Sequence, residues 1–95
     1  MEKVMVVLGQ STLASITSND GQKVFKKLAV ELTDGSDSLI AEAYDELAEA
    51  LDANKLTCGK PVCVSVKFTS YNFKNKQGEE SKATRIRLMS VYRLN

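Results

Sequence analysis

Residues 59–73 read Gly59-Lys60-Pro61-Val62-Cys63-Val64-Ser65-Val66-Lys67-Phe68-Thr69-Ser70-Tyr71-Asn72-Phe73, and their alternation decides the fold class. Successive side chains of a strand point to opposite faces, so Val62, Val64, Val66 and Phe68 share one face. Cys63, Ser65, Lys67, Thr69, Tyr71 and Phe73 share the other. A β-bulge anywhere in 67–73 would exchange the two faces there and turn Tyr71 or Phe73 inward. Asn75-Lys76-Gln77-Gly78 fits a four-residue hairpin loop with glycine at the left-handed position. Thr84 to Leu94 then returns, with Ile86, Leu88, Tyr92 and Leu94 opposing Arg85, Arg87 and Arg93. The second half of the chain is one long hairpin, entered through a Gly-Lys-Pro turn.

Toward the N-terminus, Lys3 to Leu8 is apolar and valine-rich and reads as a buried strand, with Gly9 marking a bend. The strand pattern resumes over Leu13 to Thr17. Asn19-Asp20-Gly21 is a hairpin signal, because these residues tolerate positive φ. Lys23 to Leu32 is the returning strand, with Val24, Leu28, Val30 and Leu32 on one parity and Lys23, Phe25, Lys27 and Glu31 on the other. Lys26 falls on the apolar parity, which predicts a bulge near it.

Thr33-Asp34-Gly35-Ser36 breaks the strand, and Ser36 or Asp37 can cap a helix. Ile40, Ala43, Tyr44, Leu47, Ala50 and Leu51 recur at helical spacing, opposite Asp37, Glu42, Asp45, Glu46, Glu49 and Asp52. This predicts an amphipathic helix of about four turns, ended by Asn54, with Tyr44 in the core. Tyr92 is likewise expected in the core. The expected architecture is mostly β with one amphipathic helix, in the order strand, strand, helix, strand, strand. The first strand is bent, and residues 1–95 form a single domain. A two-layer α+β sheet with one helix is the alternative.

Composition narrows the chemistry. There is no histidine, hence no histidine base and no imidazole metal ligand. Cys58 and Cys63 cannot complete a four-thiolate zinc site, and they allow at most one disulfide. The longest apolar run, Val4 to Leu8, is too short for a membrane span or a signal-peptide core. The Gly59-Lys60 turn lacks the upstream glycine of a phosphate-binding loop, and Asp34-Gly35-Ser36-Asp37 lacks the ligand spacing of a calcium loop. The expectation is a cytoplasmic, non-enzymatic protein with no metal and no cofactor.

The net charge of +1 conceals a segregation. Residues 1–33 carry a net of +1, residues 34–54 a net of −7, and residues 55–95 a net of +7. Lys67, Lys74, Lys76, Lys82, Arg85, Arg87 and Arg93 all belong to the second-half hairpin. Tyr71 and Phe73 share the parity of Lys67, and Phe25 stands between Lys23 and Lys27 on the parity away from the apolar face. Aromatic rings interleaved with cations on the outer face of a small sheet suit single-stranded nucleic acid, whose bases stack on rings while cations neutralise phosphates. On this reading Phe25, Tyr71 and Phe73 stack bases. Lys23, Lys27, Lys67, Lys74, Lys76, Lys82, Arg85 and Arg87 hold phosphates, and the acidic helix lies on the side away from the strand.

The chain resembles the OB-fold single-stranded-DNA-binding proteins of bacteria and their phages and plasmids. Lys3 to Gly9 looks like that family's opening strand and glycine bend. Leu47 to Leu51 followed by Gly59 to Val66 looks like its helix, glycine-basic turn and fourth strand. Tyr71, Phe73, the turn at 75–78 and Thr84 to Leu88 look like its basic-aromatic hairpin and last strand. The resemblance implies an OB-type barrel, a homodimer or higher homo-oligomer, and single-stranded DNA as the partner, with RNA left open. It also implies DNA contacts at Phe25, Lys67, Tyr71, Phe73, Lys74, Arg85 and Arg87. Two departures stand out. A tryptophan often used for stacking is absent, and Thr33 to Ser38 leaves no room for the further strand that those proteins place before the helix. A rival reading is a protein-interaction module or small assembly subunit, in which the acidic segment of one copy or of a partner meets the basic hairpin of another.

Overall fold

The apolar parity of residues 62–66 holds in three dimensions. In the computed structural model, which describes residues 2–94, Val62, Val64 and Val66 are buried in one barrel core. The elements are β1 (Glu2–Gln10), β2 (Ala14–Thr17), β3 (Val24–Thr33), β4 (Ser38–Tyr44), α1 (Asp45–Ala53), β5 (Pro61–Lys74) and β6 (Glu80–Arg93). The sheet order is β1-β5-β6-β4-β3-β2, and a further β1–β3 pairing closes the ring. β1 manages this because it is bent. Glu2 to Val6 pairs with β5, Val6 to Gln10 pairs with β3, and the β3 register shifts between Val7 and Gly9. Closure removes most of the free sheet edge.

The helix expected from residue 37 is the main correction. Residues 38–44 form β4, paired residue for residue with β3 from Thr33↔Ser38 to Lys27↔Tyr44. The element order therefore gains a strand before the helix, and it occupies the first part of the expected helix rather than the Thr33 to Ser38 stretch. Two periodicities overlap here. Leu39, Ala41 and Ala43 alternate inward, with Ala41 and Ala43 fully buried, and Ala43 also belongs to the helical series. The capping chemistry expected of residues 36 and 37 is used differently. Asp34 Oδ1 accepts the backbone N–H of Ser36 (2.9 Å) and Asp37 (2.8 Å), which folds 34–37 into a tight hairpin loop with Gly35 at φ +101°. The Asp37 amide, then the Lys3 ammonium and the Ser36 amide, hold the Asp34 carboxyl well below the usual carboxylate range.

Only the second part of the helical pattern is helix. α1 buries Ala48 and Leu51 and packs on β3 and β4. Its first residue, Asp45, has φ +50°, a left-handed conformation that Asp tolerates, and its Oδ1 accepts the Lys26 N–H at 3.1 Å. At the other end the Arg93 guanidinium donates to the carbonyls of Asn54 and Lys55, supplying donors for carbonyls beyond the last helical turn. Gln10 ties this corner to β1. Its Nε2 donates to Leu51 O (3.0 Å), and its Oε1 accepts from Leu56 N (3.1 Å). Gln10→Ala leaves both backbone groups half-buried without those partners and should cost about 1–3 kcal/mol. A thermal melt checks this, and an unchanged midpoint would show that water replaces the glutamine.

The barrel core ends at Leu28 on β3 and at Val66 and Leu88 on β5 and β6. Beyond it the strands run on into solvent, which corrects several expectations. Val24 is exposed, although it shares the parity of Leu28. Lys26 needs no bulge, because β2–β3 and β3–β4 pair without a register shift and its ammonium reaches Ser15 Oγ (2.6 Å) outside the core. The bulge lies elsewhere. Ser65 pairs with Ser90 and Val66 with Leu88, so Met89 is the extra residue. The parity of β6 changes there: Val91 packs toward the core and Tyr92, expected inside, is 64% exposed. From Lys67↔Arg87 to Lys74↔Glu80, β5 and β6 form a two-stranded wing roughly 25 Å long. The wing accounts for a radius of gyration of 14.8 Å, where a compact chain of this length would have about 12 Å.

Candidate nucleic-acid interface

The core is aliphatic throughout. Its members are Met, Val, Leu and Ala, and none of the three Phe and three Tyr residues is among them. Phenylalanine is normally one of the most buried residue types, so six aromatics outside the core need a reason. Four of them lie along one face.

The register places them there. With Leu28, Val30, Ala41 and Ala43 inward, the outer face of β3 carries Phe25 and Lys27, and that of β4 carries Glu42 and Tyr44. Glu42 pairs with Arg87 across the parallel β4–β6 contact that completes the ring. Arg87 stands opposite Lys67, Arg85 opposite Thr69, Tyr71 opposite Ala83 and Phe73 opposite Ser81, all on the face away from the core parity. The register of 67–74 has no shift, so Tyr71 and Phe73 emerge outward, 41% and 43% exposed.

These side chains form a nearly continuous strip. Phe25 and Tyr44 lie with ring centroids 5.9 Å apart, tilted by 56°. The Arg87 guanidinium sits 5.1 Å from the Tyr44 ring centroid. Arg85 sits 5.2 Å from that of Tyr71, and Tyr71 is 6.0 Å from Phe73. Both arginines lie within cation–π range, so they hold the rings in place and retain their charge at the surface. At the Phe25 end an open concavity of about 580 Å³ is lined by Gln22, Lys23, Val24, Phe25, Tyr44, Asp45 and Arg87. Its two rings and its cations could receive a flat, electron-rich group attached to a phosphate.

The candidate residues read from sequence fall into three groups. Phe25, Lys27, Lys67, Tyr71, Phe73, Arg85 and Arg87 share the strip's face, and Lys23 lines the concavity. Lys74 and Lys82 alternate onto the opposite face of the wing, with Phe68, and Lys76 is at the wing tip. Among the described residues the ion pairs involving these cations are Lys27–Glu42 and Arg85–Glu42. Tyr44 and Glu42 were missed, both because residues 38–44 were read as helix. The alternation of Leu39, Ala41 and Ala43 was the signal that would have placed them on the outer face. The acidic segment is also not one helical face. Asp34 and Asp37 lie in the β3–β4 loop, Glu42 lies within the strip, and Asp45 borders the concavity.

No family model and no curated protein sequence matches the chain. Solved structures do match it. The second OB-fold domain of replication protein A from Methanococcus maripaludis aligns over 98% of this chain and 81% of its own, at 16% identity and a TM-score of 0.64. Rim1, a mitochondrial single-stranded DNA binding protein of S. cerevisiae, aligns over 99% and 92%, at 16% identity and a TM-score of 0.61. The SSB domain of a Synechococcus sp. protein aligns over 97% and 91%, at 13% identity and a TM-score of 0.56. With its bent first strand, closed ring and a helix before β5, this chain has an OB fold like that of these domains.

Proposed function

We propose that this chain, as a single OB-type domain over residues 1–95, binds single-stranded nucleic acid, DNA in the first place, without catalysis. The observation that carries this reading is the displacement of every aromatic residue from the core, with four of the six gathered beside arginines on one face. Bases stack on Phe25, Tyr44, Tyr71 and Phe73. Phosphates meet Arg87, Lys67 and Lys23, with Lys27 and Arg85 partly neutralised by Glu42. Lys74, Lys76 and Lys82 act at the wing's tip and reverse side. Stacking contributes about 1–3 kcal/mol per base and tolerates any sequence. One short barrel and one wing offer a short site, which self-association would lengthen. The domain folds of replication protein A and Rim1 support the same reading, since those proteins carry such barrels in single-stranded-DNA binding or replication.

A salt series of anisotropy titrations with labelled oligo-dT tests it. Engagement of three to five phosphates gives log K against log salt a slope of about −2 to −3.5. Absence of binding at low salt, or binding without a slope, would leave the basic wing to an acidic protein partner.

A further inference from the structure

Glu42 is out of place in a face built for phosphates. Its carboxylate lies at the middle of the strip, between the Phe25–Tyr44 pair and the Tyr71–Phe73 pair, and its side chain is only 17% exposed. Oε2 holds the Lys27 ammonium, itself half-buried, and Oε1 lies 3.8 Å from Arg85 Nε. Glu42 also stands beside Arg87 in the register. Two of the strip's cations thus lie against one acid, and a third is its neighbour in the register. The barrel does not require an acid there, because position 42 points away from the core and its β3 neighbour is Ala29.

We propose that Glu42 is an electrostatic brake on strand binding, a specificity-determining residue that keeps phosphate away from the centre of the strip and turns bases toward it. A phosphate approaching Lys27 or Arg85 at this point also approaches a carboxylate, and the like charges repel across a partly desolvated surface. Phosphates are thereby directed to the strip's edges, where Lys67 and Lys23 have no acid partner among the described residues. The bases are left to face the rings. The brake makes the complex weaker and less salt-dependent than the number of cations implies.

The inference rests on the nucleic-acid reading above, and its test separates the two. Anisotropy titrations with oligo-dT over a salt series compare the parent with Glu42→Gln, Glu42→Thr and Glu49→Gln. Glu49→Gln removes the same charge from the exposed face of α1. Both Glu42 variants should bind about fivefold more tightly at roughly 0.1 M salt, with a slope steeper by about 0.7, the equivalent of one further phosphate contact on a single strand. Glu49→Gln should leave both quantities nearly unchanged. Weaker binding by the Glu42 variants would show that Glu42 positions the cations, and would overturn the brake. Equal tightening by Glu49→Gln would reduce the effect to net charge, and would overturn it too. Threonine is well suited to a strand, so Glu42→Thr keeps the test valid if glutamine melts the fold. A parent protein that binds no oligonucleotide contradicts the nucleic-acid reading itself.

Discussion

Replacing Tyr71 and Phe73 together by alanine is expected to weaken oligo-dT binding at least about 30-fold while the protein still folds. Each ring that stacks a base contributes about 1–3 kcal/mol, so losing two removes at least about 2 kcal/mol, and every 1.4 kcal/mol is tenfold in affinity. Arg85 also loses the ring it lies over, which frees its guanidinium. The fold should tolerate the change. Both rings project from a wing beyond the last core residues, Val66 and Leu88. Exposed substitutions usually move stability by no more than about 0.5 kcal/mol, or a few degrees in a melt. Thermal melts and anisotropy on the same samples read both quantities. Unchanged affinity would refute the stacking role, and a collapse of the melt would make the rings structural.

A second large effect is expected at two neighbouring residues, with opposite outcomes. Ala41→Glu should unfold the domain or cost several kcal/mol, whereas Ile40→Glu should be tolerated. In β4 Ala41 is fully buried and Ile40 is 58% exposed. A glutamate at 41 would place an unpaired charge among Val30, Leu32 and Leu28, and burying a charge without a partner is among the most destabilising single changes known. The domain has only about 5–15 kcal/mol to lose. If residues 37–52 were one helix, the ranking would reverse, because Ile40 belongs to the helical apolar stripe and Ala41 does not. Circular dichroism melts of the two variants distinguish strand from helix without a new structure.

Most of the barrel was legible because strand alternation and turn chemistry are local. The parity of 62–66, the Asn-Asp-Gly turn at 19–21 and the turn at 75–78 all fold as their residues dictate, with Gly21 and Gly78 at positive φ, although the loop between β5 and β6 runs one residue further, through Glu79. The bend at Gly9 is likewise present. Residues 38–44 were not legible in the same way. Ala43 and Leu47 fit either period, and helix propensity favours alanine and glutamate, but pairing along the whole length of β3 decides in favour of strand. That choice carried Tyr44 and Glu42 from a supposed helix onto the outer face.

The misplacement of Tyr92 has a different cause. A single extra residue, Met89, changes the parity of β6, and nothing in the local sequence marks it. The wing's two-sidedness also lay beyond a charge count. Lys74 and Lys82 add to the same net +7 as Arg85 and Arg87, yet the register sends them to the other face.

The central claim is that a strand lies along one face of the barrel and stacks on the rings there. Backbone and aromatic NMR shifts recorded during titration with a short oligo-dT test it most directly. The expected changes map to Phe25, Tyr44, Tyr71, Phe73, Arg85 and Arg87, with the exposed face of α1 and Tyr92 left unmoved. Changes confined to α1 or to the surface around Tyr92, with the four rings silent, would contradict the account.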